Sequence, residues 1–194
     1  MELYLGLDPS GWKAKRPLLH YPVIRIEPLN YVKPPDWPEV THLLFTSKSA
    51  VAHWEDFEGK TILAIGEATG ALLKRRGLSY LLAPFATQEG MIELLKTLDL
   101  QGAYLVWPRS TKARDVLSLY LQSLNVRLQI EDLYETHYQK LEPVPSLDLV
   151  EEIIFTSPST VEGFLQSFGS LPKDKKLTAI GPITAREIEK KMDE

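Results

Sequence analysis

Residues 42–54 read HLLFTSKSAVAHW and residues 152–164 read EIIFTSPSTVEGF, so one phrase is written twice in the chain. In the first copy, Leu43, Leu44 and Phe45 form a short apolar run of the kind that fills a parallel sheet buried on both faces. Thr46 and Ser47 follow. Their side-chain oxygens can accept from the free amides of a first helical turn, and Ala50, Val51 and Trp54 then supply an apolar stripe at helical spacing. The second copy says the same more plainly. Ile153, Ile154 and Phe155 form the strand, Ser157 stands at the N-cap and Pro158 fits the first helical position, while Ser159 with Glu162 offers an alternative capping box.

A second phrase is also doubled, with ILAIGEATGALLKRRG at 62–77 and LTAIGPITAREIEKK at 177–191. Each reads as strand, glycine turn and helix, and Ala64, Ile65, Gly66 and Thr69 match Ala179, Ile180, Gly181 and Thr184. Two phrases in one order predict two α/β lobes. Between the copies come a short strand near 80–82, a helix over 87–97, a strand at 103–107, a helix over 110–123 and a strand at 126–131. Strands alternating with helices of this length imply right-handed crossovers and a parallel sheet. Two stretches fit neither lobe: YPVIRIEPLNYVKPPDWP at 21–38, rich in proline, and DLYETHYQKLEPVP at 132–145. Both read as paired extended connectors. The expected fold is therefore α/β, with two parallel-sheet lobes joined by a two-stranded extended linker. Lobe A is discontinuous, over 1–22 and 140–194, lobe B spans 37–131, and 23–36 with 132–139 link them.

Composition narrows the class. An apolar fraction of 44% and a charged fraction of 25% are those of an ordinary globular protein. No run approaches the roughly 20 apolar residues of a membrane span, and ELYLGL after Met1 lacks the layout of a signal peptide, which places the protein in the cytoplasm. The absence of cysteine excludes disulfides and thiolate chemistry, and the histidines at 20, 42, 53 and 137 have no metal-ligand spacing. A net charge of −4 argues against nucleic acid as a partner.

In an open parallel sheet, ligands bind at the carboxyl ends of the strands, and all four doubled turns lie there. A helix N-terminus with unpaired amides and nearby hydroxyls suits carboxylates or phosphates. The same Ser, Thr and Gly residues are also what any well-capped helix uses, and both readings stand for Ser47, Thr69, Ser157 and Thr184 individually. GEATG and GPITA are not dinucleotide fingerprints, and GKT at 59–61 lacks the upstream glycine of a phosphate loop. Arg109 directly follows the strand at 103–107, where a carboxylate partner is natural. Lys48 also lies near a turn, while Lys112 and Arg114 read as a solvated helix face. Tyr134 and Tyr138 lie on the return connector, where a phenol can face a ligand or sit buried at a hinge. No acid pair or nucleophile and base are placed together, which favours chemistry done by positioning a reactive substrate.

The chain resembles the uroporphyrinogen-III synthases. The resemblance rests on FTSKSAV at 45–51, AIGEATGALLKRRG at 64–77, WPRSTKARDVL at 107–117, LYETHY at 133–138, FTSPSTVEGF at 155–164 and AIGPITA at 179–185, in the family's order. It implies flavodoxin-like lobes with a cleft between them, and a monomer needing no metal or cofactor. The implied activity, in haem biosynthesis, is a cyclising hydro-lyase reaction. Linear hydroxymethylbilane, a polycarboxylate tetrapyrrole supplied by hydroxymethylbilane synthase, loses water and closes with its last pyrrole ring inverted through a spiro intermediate. Tyr134 then matches the linker tyrosine expected to donate a proton to the departing hydroxyl. Thr46, Ser47, Gly66, Thr69, Arg109, Ser157, Ser159, Gly181 and Thr184 are the residues expected to bind substrate. The chain departs from the family pattern at both ends. LGLDPSGWKAKRPLLH at 5–20 replaces an Arg-Pro pair and a full first helix, and the usual further strand and helix do not follow AIGPITA, so lobe A is expected to be thin. Two other classes remain open: a degenerate, non-catalytic tetrapyrrole- or anion-binding module, and a nucleotide-binding α/β domain.

Overall fold

The computed structural model describes residues 1–193. In chain order the elements are β1 (Glu2–Tyr4), β2 (Leu18–His20), β3 (Ile24–Pro28), a 3-10 turn at Trp37–Glu39, β4 (His42–Phe45), α1 (Lys48–His53), β5 (Thr61–Ala64), α2 (Glu67–Arg75), β6 (Leu81–Leu82), α3 (Gln88–Lys96), β7 (Tyr104–Ser110), α4 (Asp115–Ser123), β8 (Arg127–Tyr138), β9 (Glu152–Phe155), α5 (Pro158–Phe168), β10 (Lys176–Ala179) and α6 (Pro182–Asp193). The alternation of strand and helix gives a mixed α/β chain with parallel sheets. It divides into two compact units, one of Met1–Ile26 with the chain from Thr136 onward, the other of Glu27–Glu135. Among the described residues no helix is long and apolar enough to cross a membrane.

The unit of Glu27–Glu135 is built on a sheet whose strand order is β3-β8-β7-β4-β5-β6. β4 pairs in parallel with β5 and β7, and β7 in parallel with β8. Strand alternation sends Leu44, Leu63, Leu105 and Trp107 to one face, where Met91 and Leu95 of α3 and Leu117 and Leu121 of α4 close over them. Leu43, Phe45 and Val106 point the other way and are equally buried. Two expectations need correction here. The helix placed at 110–123 begins only at Asp115, because residues 108–110 stay extended against β8, with a register shift between Arg109 and Ser110. The strand placed at 126–131 and the connector after it are one continuous strand, since β7 offers it a partner as far as Tyr134. Pairing along a neighbouring strand overrides the local capping signal of Ser110 and Thr111. The proline-rich stretch contributes β3 at the sheet edge, where proline's missing donor is tolerated.

The other unit has four parallel strands in the order β10-β9-β1-β2. Leu3, Leu5, Ile153 and Phe155 share a core with Val161 and Phe164 of α5 and Ile188 of α6. The opposite face is unusual in carrying charge. Glu2 and Glu152 lie opposite each other across β1 and β9, both buried. Glu2 accepts from Trp12 Nε1 at 2.7 Å and Lys15 N at 2.9 Å, and Glu152 accepts from Lys176 at 2.8 Å and Thr178 at 2.6 Å. These bonds hold both carboxyls below the usual carboxylate range, Glu2 through Trp12 first and Glu152 through Lys176 first. The segment between β1 and β2 is thus tied to the sheet by a buried carboxylate in place of a helix's apolar stripe.

Close packing of α5 depends on Gly163, where a Cβ would lie 2.6 Å from the carbonyl oxygen of Val23. Gly163→Ala gains about 1 kcal/mol of helix propensity but forces backbone apart, and overpacking of this kind costs roughly 1 to 3 kcal/mol. We expect a net loss of stability, read as a lower urea midpoint, whereas Gly11→Ala, with nothing within 4 Å of the added atom, should leave the midpoint in place.

Candidate functional site

In each unit the parallel register sets two turns side by side at strand carboxyl ends. Phe45 lies opposite Ala64, and Ile65 N–H continues the ladder to Phe45 O at 3.0 Å. Phe155 lies opposite Ala179, and Ile180 N–H continues to Phe155 O at 3.0 Å. The doubled phrases are therefore doubled in geometry, each unit carrying an F-T-S turn beside an A-I-G turn.

In the unit of Glu27–Glu135, Ser47 caps α1, its Oγ accepting from Ala50 N–H at 3.0 Å. The same oxygen is 2.8 Å from the phenolic oxygen of Tyr134. Ser47 Oγ keeps its proton and a second lone pair after accepting from the Ala50 amide, so either hydroxyl can donate across this contact, and where Ser47 donates, the phenolic hydrogen is left for another acceptor. Tyr134 is brought there by the β7–β8 pairing, in which it stands opposite Ser110 and its carbonyl accepts from Thr111 N–H at 3.1 Å. The side chain is 6% exposed. Burial pushes the phenol above its ordinary value near 10, while hydrogen bonds with Ser47, Ser110 and Ser49 pull in the other direction without cancelling it. At neutral pH Tyr134 is thus a buried, fully protonated phenol with three serine hydroxyls around it.

Next to this pair, Thr46 Oγ1 accepts from Trp107 Nε1–H at 3.1 Å, and the Arg109 guanidinium lies 5.1 Å over the Trp107 ring. Arg109 Nε–H donates to Asp132 at 2.9 Å. Its Nη1 is buried with no hydrogen-bond partner among the described residues, which leaves a charged donor able to receive a carboxylate oxygen. Gly66 caps α2 in extended backbone, and its carbonyl receives Thr69 N–H at 3.1 Å. Thr69 is buried. Arg114 makes two bonds to Glu89, at 2.9 and 3.0 Å, and holds that carboxyl down at about 2.

In the other unit, Ser157 caps α5 and Pro158 occupies the first turn. Thr160, not the pair Ser159 and Glu162, closes that turn. Its Oγ1 accepts from Thr156 N–H and Ser157 N–H at 3.1 and 3.2 Å and donates to Ser157 O at 2.7 Å, being three residues after the cap where the geometry converges. Glu162 instead faces Lys191 at 3.4 Å. Ser159 is half-buried, Thr184 is buried, and nothing lies within 4 Å of a Cβ built on Gly181.

The structure thus brings Ser47 onto Tyr134, links Thr46 to Arg109 through Trp107, and sets the Ser157 turn beside the Gly181 turn. Ser49, Ser110, Trp107 and Asp132 had not been singled out. Ser110 was legible only as part of a helix start, and its role depends on the strand pairing that replaced that start. Tyr138 is partly buried against the core that contains Ile153 and Phe164. Among the described residues no group of His, Asp or Glu is arranged to hold a metal.

Residues 16–192 match the family model described as "Uroporphyrinogen-III synthase HemD". The chain is 28% identical over 172 residues to a Methanothermobacter thermautotrophicus protein provisionally named uroporphyrinogen-III synthase, covering 76% of this chain and 68% of that one. It is 23% identical over 193 residues to the uroporphyrinogen-III synthase of Chlorobaculum parvum, covering 88% and 78%. The crystal structure of uroporphyrinogen-III synthetase from Helicobacter pylori 26695 aligns with TM-score 0.68 at 17% identity, covering 97% and 87%, and at that identity shows the shared fold.

If Ser47 supports both the helix cap and the phenol, the two losses can be separated. Ser47→Ala should cost about 1 to 2 kcal/mol in urea unfolding. A cycle with Tyr134→Phe should then return a coupling of roughly 1 kcal/mol, whereas additive single effects would show that the 2.8 Å contact contributes nothing to stability.

Proposed function

The chain belongs to the uroporphyrinogen-III synthase family, and from that membership we propose that it converts linear hydroxymethylbilane to uroporphyrinogen III. Water is lost, and the last pyrrole ring is inverted through a spiro intermediate. The observation that carries the catalytic part is the buried, protonated phenol of Tyr134 held by Ser47. Hydroxide is a poor leaving group, and a proton donated to it as the carbon–oxygen bond breaks lets it depart as water. Tyr134 can make that donation because its phenol carries its proton at neutral pH and lies against Ser47, and the departing hydroxide is basic enough to take a proton even from a phenol that burial has made less acidic. The remaining choice, attack at the substituted carbon of the last ring, is made by holding the two ends of the chain in one orientation.

The substrate's many carboxylates call for cationic and N–H donors. We assign Arg109, with its unpaired Nη1, as a carboxylate ligand, together with the turns at Thr46–Ser47, Gly66–Thr69, Ser157–Ser159 and Gly181–Thr184. On this reading the enzyme acts as a monomer in the cytoplasm, fed by hydroxymethylbilane synthase, and requires no cofactor. The segment between β1 and β2, tied to the sheet by a carboxylate where a helix would pack, supports a second reading as a non-catalytic module that keeps tetrapyrrole or anion binding.

Incubation with hydroxymethylbilane followed by isomer separation decides between them, since unaided closure gives isomer I. Formation of isomer III is the expected result, and isomer I alone would reject the enzyme. Tyr134→Phe keeps the ring and removes the donor. It should lower kcat about a hundredfold with KM little changed, and an undiminished rate of isomer III formation would remove Tyr134 from the mechanism.

A further inference from the structure

One side chain outside the set above fits the same chemistry. Phe85 is 66% exposed, and among the described residues it is the only aromatic member of the exposed large apolar side chains. An exposed phenylalanine in a loop is usually mobile, but this one is fixed at its backbone. Ala83 N–H donates to Ala64 O at 2.9 Å, extending the β5–β6 ladder, and Thr87 N–H donates to Phe85 O at 2.8 Å. A Cβ on Gly90 would lie 2.1 Å from Phe85 O, so α3 is seated directly against this carbonyl. A Cβ on Gly66 would lie 2.8 Å from Ala86 Cβ, so the loop is also seated against the Gly66 turn. The Glu89–Arg114 pair fastens the first turn of α3 to the start of α4.

The loop leaves the carboxyl end of β6, and β6 is two strands from β4 in the sheet order. At about 4.8 Å per strand, the start of the loop lies roughly 10 Å along the row of turns from Ser47. The result is an apolar ring on a rigid backbone, on the same carboxyl edge as the Ser47–Tyr134 pair. We propose that Phe85 is a substrate-positioning residue whose ring stacks on a pyrrole of the bound tetrapyrrole. A flat π-system suits a flat π-system in offset or edge contact, and a fixed backbone reduces the ordering cost on binding. The β4-β5-β6 edge of this unit thus carries a ring at one end and the Ser47–Tyr134 pair toward the other, which gives a linear substrate a direction. This assignment rests on the synthase reading.

The test uses the full chain with hydroxymethylbilane. Phe85→Ala should raise KM about tenfold and leave kcat within about twofold, with an unchanged urea midpoint because the ring is exposed. Phe85→Trp should restore KM, and Phe85→Glu should raise it further in a salt-sensitive way by repelling the substrate's carboxylates. Isomer III from the wild-type chain with wild-type KM in both Phe85→Ala and Phe85→Glu overturns this assignment alone. Isomer I alone from the wild-type chain overturns the synthase reading and this assignment with it.

Discussion

Everything at the candidate site follows from parallel strands meeting with their last residues level. Phe45 faces Ala64 and Phe155 faces Ala179, so each pair of strands ends together and its two turns emerge side by side. A slip of one residue would reverse which side chains face the core, and Leu44, Leu63 and Ile153, all at or near zero exposure, make that slip costly. The register that the core demands is thus also what aligns Ser47 with the Gly66 turn and Ser157 with the Gly181 turn. Stability and site geometry come from the same apolar residues.

Tyr134 shows how a longer-range constraint is laid over this local one. Its strand is long enough to pair with β7 to the end, and the register shift at Arg109 and Ser110 places Ser110 opposite Tyr134. The phenol then reaches Ser47 across two strand positions in the sheet order β8-β7-β4. Burial sets the sign of its chemistry. A solvated phenol and a buried one are both protonated at neutral pH, but the buried one holds its proton to a higher pH. The neighbouring Arg109 is charged and incompletely satisfied, so the edge offers an acid and a cation close together.

Much of the fold was legible because hydrophobic runs and turn chemistry agreed. The doubled strand–turn–helix phrases had one consistent local reading, and Ser47 and Ser157 cap the helices that their sequence neighbours require. The errors fell where tertiary pairing competed with local signals. Ser110 and Thr111 look like a helix start, yet β8 holds Ser110 extended, and this is what gives Tyr134 its second hydroxyl neighbour. Thr160 closes the turn in place of the alternative box of Ser159 and Glu162, because it stands three residues after the Ser157 cap and Lys191 draws Glu162 away. The motifs pointed to Tyr134 and Arg109, but not to Trp107 as the plate joining Arg109 to Thr46, since the contact with Thr46 depends on β7 lying beside β4, which no local pattern reports.

The two copies of the phrase have diverged in what surrounds them, and that divergence carries more functional information than the repeat. Gly66 is backed so tightly by Ala86 that a methyl group cannot be added, whereas Gly181 stands open. Ile180, beside Gly181, is 53% exposed while its counterpart Ile65 is half-buried. One A-I-G turn is therefore packed against the loop after β6, and the other has open space at its glycine. Each turn's surroundings are set by its own unit, and the capping signal that the two phrases share does not report them.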